Sequence, residues 1–249
     1  MLRPSTPPIP PLPPLPPLPF TPAYPLRTER LDLRPVRHDD FDAVYAYQRR
    51  PEVCRYLYWG PHDEAASRAS VADKTTRTTL RESGDYLQLA VVVHETGTLV
   101  GDVTFSYTSR RHRQGGIGYV FNPEHAGRGY ATEAARALLE LGFEQLGLHR
   151  IQAELDGRNT ASAALLERLG MRREGHLREN EFLDGEWSDE VVYAMLAREW
   201  RAGRERPSES PPTVTAGAGR ARVPAPPRTG HVSDRYIRSV SWVTNPSRS

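Results

Sequence analysis

Two glycines flank an arginine immediately before a segment with helical spacing, in the stretch NPEHAGRGYATEAA from residue 122 to residue 135. The first N–H groups of a helix lack partners within it and lie at the positive end of its dipole, so they attract phosphate groups. Gly127 and Gly129 let a ligand come close to the backbone, and Arg128 can add a cationic contact. The stretch therefore predicts a loop that binds a pyrophosphate.

The two common glycine-rich nucleotide patterns do not fit this loop. A Walker A loop has a lysine directly after its last glycine, whereas Tyr130 follows Gly129 here. The dinucleotide-binding fingerprint places glycine or alanine three residues beyond the second glycine, where this chain has Thr132, and it follows the first strand of its unit. The alternative that needs no ligand is a tight turn leading into a helix.

Alternating and helical apolar patterns divide the chain around this loop into strands and helices. A strand LDLRPV precedes two helices, FDAVYAYQRR and one between Glu64 and Glu82, and then YLQLAVVV and LVGDVTFSY form a hairpin about HETGT. The strand GGIGYVF leads into the loop, a helix runs from Tyr130 to Leu146, and RIQAEL, TASAALLERLG, HLRENEFL and EVVYAML follow as a strand, a helix and two strands. We expect an α/β (α+β) fold, with four helices packed on a mixed, mostly antiparallel sheet of about seven strands.

These blocks, in this order, resemble the GNAT N-acetyltransferase superfamily, in its Rim-type branch that acetylates ribosomal-protein N-termini. The resemblance runs from about Leu26 to Trp200 and depends on GYATEA, N-x-x-S, LGM, EG-x-L-R-E and DEVVYAML. It implies that the chain transfers an acetyl group from acetyl-CoA to a primary amine, foremost a protein N-terminus. The cofactor contacts that it implies are Tyr119, Val120, Phe121, Gly127, Arg128, Gly129, Tyr130, Ala131, Thr132 and Asn159. One departure is Glu124, where the superfamily's loop has Gln or Arg.

The resemblance also implies catalytic residues. Acetyl transfer to an amine requires removal of the amine's proton, support for an oxyanion and neutralisation of the departing thiolate. Many members carry a tyrosine beside the sulfur, but alignment puts Leu166 at that place, and the branch's N-x-x-S motif makes Ser162 the donor to the thiolate. The branch's base corresponds to Glu181. Without a ligand, Asn159 and Ser162 would be an ordinary helix start and Glu181 an ordinary surface carboxylate.

The segment CRYLYWGPH between the first two helices supplies a group of aromatic side chains. In the fold that the resemblance implies, this loop forms one side of the groove that binds the acceptor. Tyr56, Tyr58 and Trp59 are therefore candidate substrate contacts. Packing beneath the helices explains aromatic residues equally well. His62 has no partner at metal-ligand spacing, and we expect no metal site.

Composition separates the two ends of the chain from its body. Residues 1–25 are proline-rich and predict an extended, disordered arm, and residues 26–201 form the acetyltransferase domain. Residues 202–249 hold eight arginines against three acidic residues and predict a disordered tail that could contact the ribosome. The domain is expected to fold without either end. A single cysteine and the lack of a long apolar run predict a cytoplasmic protein with no membrane segment.

The sequence is compatible with several functions. Residues 1–201 hold 25 basic and 28 acidic side chains, which permits a small cationic acceptor such as an aminoglycoside or a polyamine. A second alternative is a non-catalytic module that binds acyl-CoA and recruits partners through its ends. The protein is expected to be a monomer or a homodimer.

Overall fold

An eight-stranded sheet forms the centre of the computed structural model, which describes residues 14–183 and 185–205. The strands are β1 (Leu26–Arg27), β2 (Leu31–Pro35), β3 (Tyr86–Val93), β4 (Thr98–Ser109), β5 (Gln114–Phe121), β6 (Arg150–Asp156), β7 (Arg172–Leu183) and β8 (Glu186–Leu196). Their spatial order is β1-β2-β3-β4-β5-β6-β8-β7, and β5 with β6 is the parallel pair. The expected mixed, mostly antiparallel sheet is confirmed, with the two-residue β1 as the additional strand.

Six α-helices connect or flank these strands in the described residues. They are α1 (Phe41–Gln48), α2 (Pro51–Cys54), α3 (Glu64–Thr76), α4 (Tyr130–Glu140), α5 (Thr160–Arg168) and α6 (Ala197–Glu205). A π-helical turn continues α4 over Leu141–Gln145. The second helix ends at Thr76, short of the expected Glu82, because Arg77 leaves the helical conformation and its carbonyl accepts the N–H of Gln88.

Side chains alternate between the two faces of the sheet and build two cores. The main core packs α4 and α5 on one face and includes Phe105, Leu138 and Leu166. The smaller core packs α1 and α3 on the other face and includes Val44 and Val71. The central strands are thus covered on both sides, which leaves their ends and edges to form a site.

A buried polar network fixes α1 and α3 on the second face. Lys74, the single lysine of the chain, places its Nζ 2.6 Å from Oδ2 of Asp102 on β4. Tyr47 of α1 and Gln88 of β3 donate further hydrogen bonds to the same carboxylate. The charge of Asp102 is therefore paired and hydrogen-bonded, as a carboxylate that is 2% exposed requires.

Residues before the expected domain boundary at residue 26 contact the body of the protein. Phe20 exchanges two backbone hydrogen bonds with Leu80, and the hydroxyl of Tyr24 donates to the carbonyl of Thr78. Phe20 and Tyr24 also pack against the main core. The sequence did not indicate this because prolines interrupt every periodic pattern in the segment. Residues 1–13 and 206–249, with nearly all of the predicted arginine-rich tail, lie outside the described residues.

Shortening the chain should therefore affect stability according to where it is cut. A chain that begins at residue 26 should melt several degrees below one that begins at residue 14, because it exposes core surface that Phe20 covers. Differential scanning calorimetry measures the difference. Phe20→Ala in the full chain should reproduce part of the loss, while Phe182→Ala, at a ring that is 58% exposed, should not. Equal melting temperatures would restore the domain boundary at residue 26.

Candidate active site

The parallel strands β5 and β6 separate after a short contact. They pair at Gln114 with Arg150, Gly115 with Ile151 and Gly116 with Gln152. Residues 117–121 of β5 stay paired with β4, but on their other side no strand among the described residues takes up their N–H and C=O groups. Such an open strand edge can bind an extended ligand through its amide groups.

The predicted pyrophosphate loop lies at the end of this open edge. Gly127 and Gly129 have φ values of 76° and 79°, in the left-handed region that favours glycine. A Cβ built on Gly127 meets no atom within 4 Å, so backbone conformation and not packing explains this glycine. Gly129 is the N-cap of α4, whose first turn consists of Tyr130, Ala131 and Thr132. The loop thus presents open backbone at the start of an eleven-residue helix, and its geometry fits an anion.

Arg30, in the turn between β1 and β2, contacts the loop and stabilises it. Its Nη1 donates to the carbonyl oxygen of Arg128 at 3.0 Å, and its Nη2 lies 2.6 Å from Oε2 of Glu133 on α4. Burial alone would raise the pKa of Glu133, but hydrogen bonds from Thr28 and Arg30 lower it overall. The sequence does not indicate Arg30 as part of the site, because 98 residues separate it from Arg128 and no local pattern links the two.

Glu124, the departure noted in the loop, is paired with a cation from another element. Nη1 of Arg50, between α1 and α2, lies 2.7 Å from Oε1 of Glu124, and Arg50 also pairs with Glu52. Arg50 therefore offsets the negative charge that Glu124 brings to the loop.

Glu124→Gln should tighten the binding of coenzyme A several-fold at low salt. The substitution removes a negative charge beside the expected pyrophosphate and releases Arg50 from one partner. Isothermal titration calorimetry at about 50 mM and 500 mM salt should show the gain shrinking, because added ions screen exposed charges. Glu52→Gln is the matched control, since it also releases Arg50 but leaves the charge of the loop unchanged. Weaker binding by Glu124→Gln would show that the carboxylate supports the loop.

The N-terminus of α5 meets the open part of β5. Oδ1 of Asn159 accepts the N–H of Ser162 at 3.0 Å, which caps the helix as expected. Oγ of Ser162 lies 2.7 Å from the phenolic oxygen of Tyr119 on β5. Leu166, where many superfamily members have a tyrosine, is 1% exposed and belongs to the main core.

Glu181 lies on β7 beyond an irregularity of the strand. Glu179 has a φ of 49°, and the register with β8 shifts at this point. Oδ1 of Asp189 accepts the N–H of Glu179 at 2.9 Å, and its Oδ2 is 2.6 Å from Nε2 of His176. The bond from Glu179, and after it the bond from His176, lower the pKa of Asp189. Asp189 thus fixes the bulge that sets the position of Glu181.

Two further carboxyl groups lie near Glu181. Glu190 of β8 is 8% exposed, and its Oε2 accepts a hydrogen bond from Nδ2 of Asn180. Burial, with the nearby charge of Glu181 adding to it, raises the pKa of Glu190, although hydrogen bonds with Asn180 and with Glu154 of β6 oppose the increase. A hydrogen bond between two carboxyl groups requires that one of them carry the proton. No local pattern in the sequence singles out Glu154 or Glu190.

These carboxyl groups and Ser162 lie on opposite faces of the sheet. Gly116 pairs with Gln152 and side chains alternate, so Glu154 shares the face of Val120, which packs against the smaller core. Tyr119 occupies the other face together with Phe121, against the main core. The gap between β5 and β6 joins the two faces. A ligand lying along β5 can therefore meet a second ligand that arrives from the side of the carboxyl groups.

The three aromatic candidates for substrate binding lie between α2 and α3. Tyr56 interacts electrostatically with Arg158, in the turn from β6 to α5, so this loop reaches the end of β6 beside Asn159. Tyr58 is 39% exposed. The ring of Trp59 packs on His62 with centroids 4.5 Å apart, and His62 contacts Gln48 of α1. The structure therefore places Tyr56 within electrostatic range of Arg158, while Trp59 packs on His62 and through it contacts α1.

A metal centre and a membrane-spanning helix are both absent from residues 14–183 and 185–205. These residues contain no group of three or more His, Cys, Asp or Glu side chains arranged to hold a metal ion. No helix among them is long and apolar enough to span a bilayer. A cavity of about 630 Å³ opens between α5 and β8, lined by Thr160, Glu167 and Tyr193 among others, but neither Ser162 nor Glu181 lines it.

Comparison with known proteins agrees with this geometry. Residues 30–172 match the acetyltransferase (GNAT) domain. The chain is 35% identical to the uncharacterized N-acetyltransferase YnaD of Bacillus subtilis over 70% of its own length and 98% of that protein, and 24% identical to the spermidine N(1)-acetyltransferase of Escherichia coli over 72% and 92%. A GNAT-family acetyltransferase structure from Bacillus anthracis superposes with a TM-score of 0.62 at 34% identity, over 69% of this chain and 98% of that one. The chain therefore belongs to the GNAT family of acetyltransferases and is an acetyl-CoA-dependent N-acetyltransferase.

Proposed function

We propose that the acceptor is a cationic primary amine that enters the gap between β5 and β6 from the face of Glu154, Glu181 and Glu190. The observation that carries this proposal is the separation of the two strands after Gly116, which leaves Ser162 on one face and the carboxyl groups on the other. Acetyl-CoA would lie along the open edge of β5, with its pyrophosphate at Gly127 and Gly129. An amine arriving from the opposite face then meets the thioester within the gap.

The residues around the gap can divide the chemistry between them. Glu181 takes the proton of the attacking ammonium, directly or through water, and the free amine forms the new C–N bond. A backbone N–H on the open edge of β5 donates to the oxyanion. Ser162 donates a hydrogen bond to the departing sulfur as the C–S bond breaks. The acetylated nitrogen gives up its second proton to water as the tetrahedral intermediate collapses, and the thiolate takes a proton from water as the product leaves.

Two cationic acceptors fit an entrance lined by carboxyl groups. A protein N-terminal amine follows from the Rim-type sequence blocks, and the basic tail would then bring the enzyme to the ribosome. A polyamine is favoured by a specific observation, since half-buried Glu154 and buried Glu190 form a hydrogen-bonded pair beside Glu181, and this group suits a chain with several positive charges better than a single terminal amine. The likeness to a spermidine acetyltransferase supports the same choice. We favour the polyamine.

An acceptor panel tests this proposal. The protein is incubated with acetyl-CoA and with spermidine, an aminoglycoside, or peptides that begin with alanine or serine, and free thiol is measured over time. Faster thiol release with spermidine than with every peptide supports the polyamine. Acetylation of a peptide alone would return the assignment to protein N-termini. Binding of acetyl-CoA without turnover on any amine would indicate the non-catalytic module.

A further inference from the structure

Tyr119 has a side-chain contact that the open edge of β5 does not require. The resemblance implies a backbone role for this residue, yet its phenolic oxygen lies 2.7 Å from Oγ of Ser162 and 3.4 Å from the carbonyl oxygen of Ser162. Its ring packs against the main core, which fixes where the hydroxyl lies. The capping bond from Asn159 fixes the other partner, because it holds the first turn of α5 in place.

The direction of this hydrogen bond decides what Ser162 can do. A serine hydroxyl has one proton and can rotate, so it can donate its single hydrogen bond to a nearby acceptor. Burial raises the pKa of Tyr119 to about 12, although the bond to Ser162 and the charge of Arg168 oppose the increase. Tyr119 is therefore a neutral phenol under ordinary conditions and can act as a donor. If the phenol donates to Oγ, the proton of Ser162 remains available for the gap.

We propose that Tyr119 is a positioning residue that donates its hydroxyl hydrogen bond to Ser162 Oγ and so aims the serine's own O–H at the sulfur of acetyl-CoA. The inference depends on the proposed role of Ser162. No proton leaves Tyr119, which only orients the serine, and the departing thiolate is stabilised by the hydrogen bond from Ser162.

A double-mutant cycle tests the inference. Tyr119→Phe should lower kcat about five- to thirtyfold, with KM for acetyl-CoA changed less than twofold, because a hydrogen bond that aids a charged group is lost while the ring stays. Ser162→Ala should lower kcat by at least as much. The double variant should be no slower than Ser162→Ala, because a residue acting only through Ser162 has no effect once that hydroxyl is gone. Single-turnover acetyl transfer measures all three.

Tyr107→Phe is the matched control. Tyr107 is fully buried on β4, and its hydroxyl has no hydrogen-bond partner among the described residues, so the same chemical change should leave kcat unaltered. Equal melting temperatures of Tyr119→Phe and the natural protein would exclude loss of structure as the cause.

The possible failures are distinguishable. A normal kcat in Tyr119→Phe, or a double variant much slower than Ser162→Ala, overturns the role of Tyr119. A normal kcat in Ser162→Ala instead overturns the proposed role of the serine, and the inference falls with it. Loss of acetyl-CoA binding in Tyr119→Phe would show that the phenol shapes the cofactor site.

Discussion

Gly127→Val is expected to weaken the binding of coenzyme A by at least tenfold without unfolding the protein. A Cβ at Gly127 meets no protein atom within 4 Å, so the valine side chain would occupy the open space in front of the loop, where the pyrophosphate is expected. The backbone conformation at Gly127, with a φ of 76°, also disfavours a branched side chain, at a cost of about 1–3 kcal/mol in stability. Isothermal titration calorimetry measures the affinity, and thermal melting measures the strain.

Gly97→Val separates blocked binding from backbone strain. Gly97 lies in the turn between β3 and β4 with a φ of 70°, and a Cβ there also meets no atom within 4 Å. Its valine variant should therefore lose similar stability while keeping the natural affinity for coenzyme A. If both variants bind coenzyme A as the natural protein does, the loop is only a turn. If both lose affinity equally, strain and not obstruction is the cause.

Local patterns in the sequence accounted for most of the fold. Alternating apolar residues predicted the long strands, and the glycine pair at residues 127 and 129 predicted the loop, because each depends on a few neighbouring residues. Two helices were not predicted for related reasons. Helix α2 has only four residues, and α6 has few apolar residues, with Trp200 as its main contact to the core through Phe143.

The contacts that complete the candidate site join residues far apart in the chain. Tyr119 and Ser162 are 43 residues apart, and their hydroxyl contact depends on how α5 crosses β5. Arg30 reaches the loop across 98 residues. Glu190 becomes buried because of its place in the sheet, and its sequence neighbours carry no sign of that. Such distances and burials follow from tertiary packing, which no local pattern encodes.

Glu181→Gln should lower the rate of acetyl transfer about a hundred- to ten-thousandfold near pH 7, which is the usual effect of removing a general base. Binding of acetyl-CoA should not change, because Glu181 lies on the acceptor side of the sheet. Glu179→Gln is the matched control, since it removes the same charge from an exposed residue two positions away on β7. Single-turnover kinetics compare the variants. A normal rate in Glu181→Gln would mean that water, or the pair of Glu154 and Glu190, removes the proton of the amine.

Glu190 should make the stability of the folded protein depend on pH. Burial is the main cause that raises the pKa of Glu190 in the folded protein. The stability that Glu190 contributes is therefore fully present below its pKa in the unfolded chain, and it is lost as pH rises through its pKa in the folded protein. Glutamine can still accept from Asn180 and can donate to Glu154, but it never ionises. Glu190→Gln should therefore melt several degrees above the natural protein at pH 8, and the difference should vanish near pH 4. A variant that is less stable at pH 8 would mean that the ionised carboxylate is held by favourable contacts, and that Glu190 could itself serve as the base.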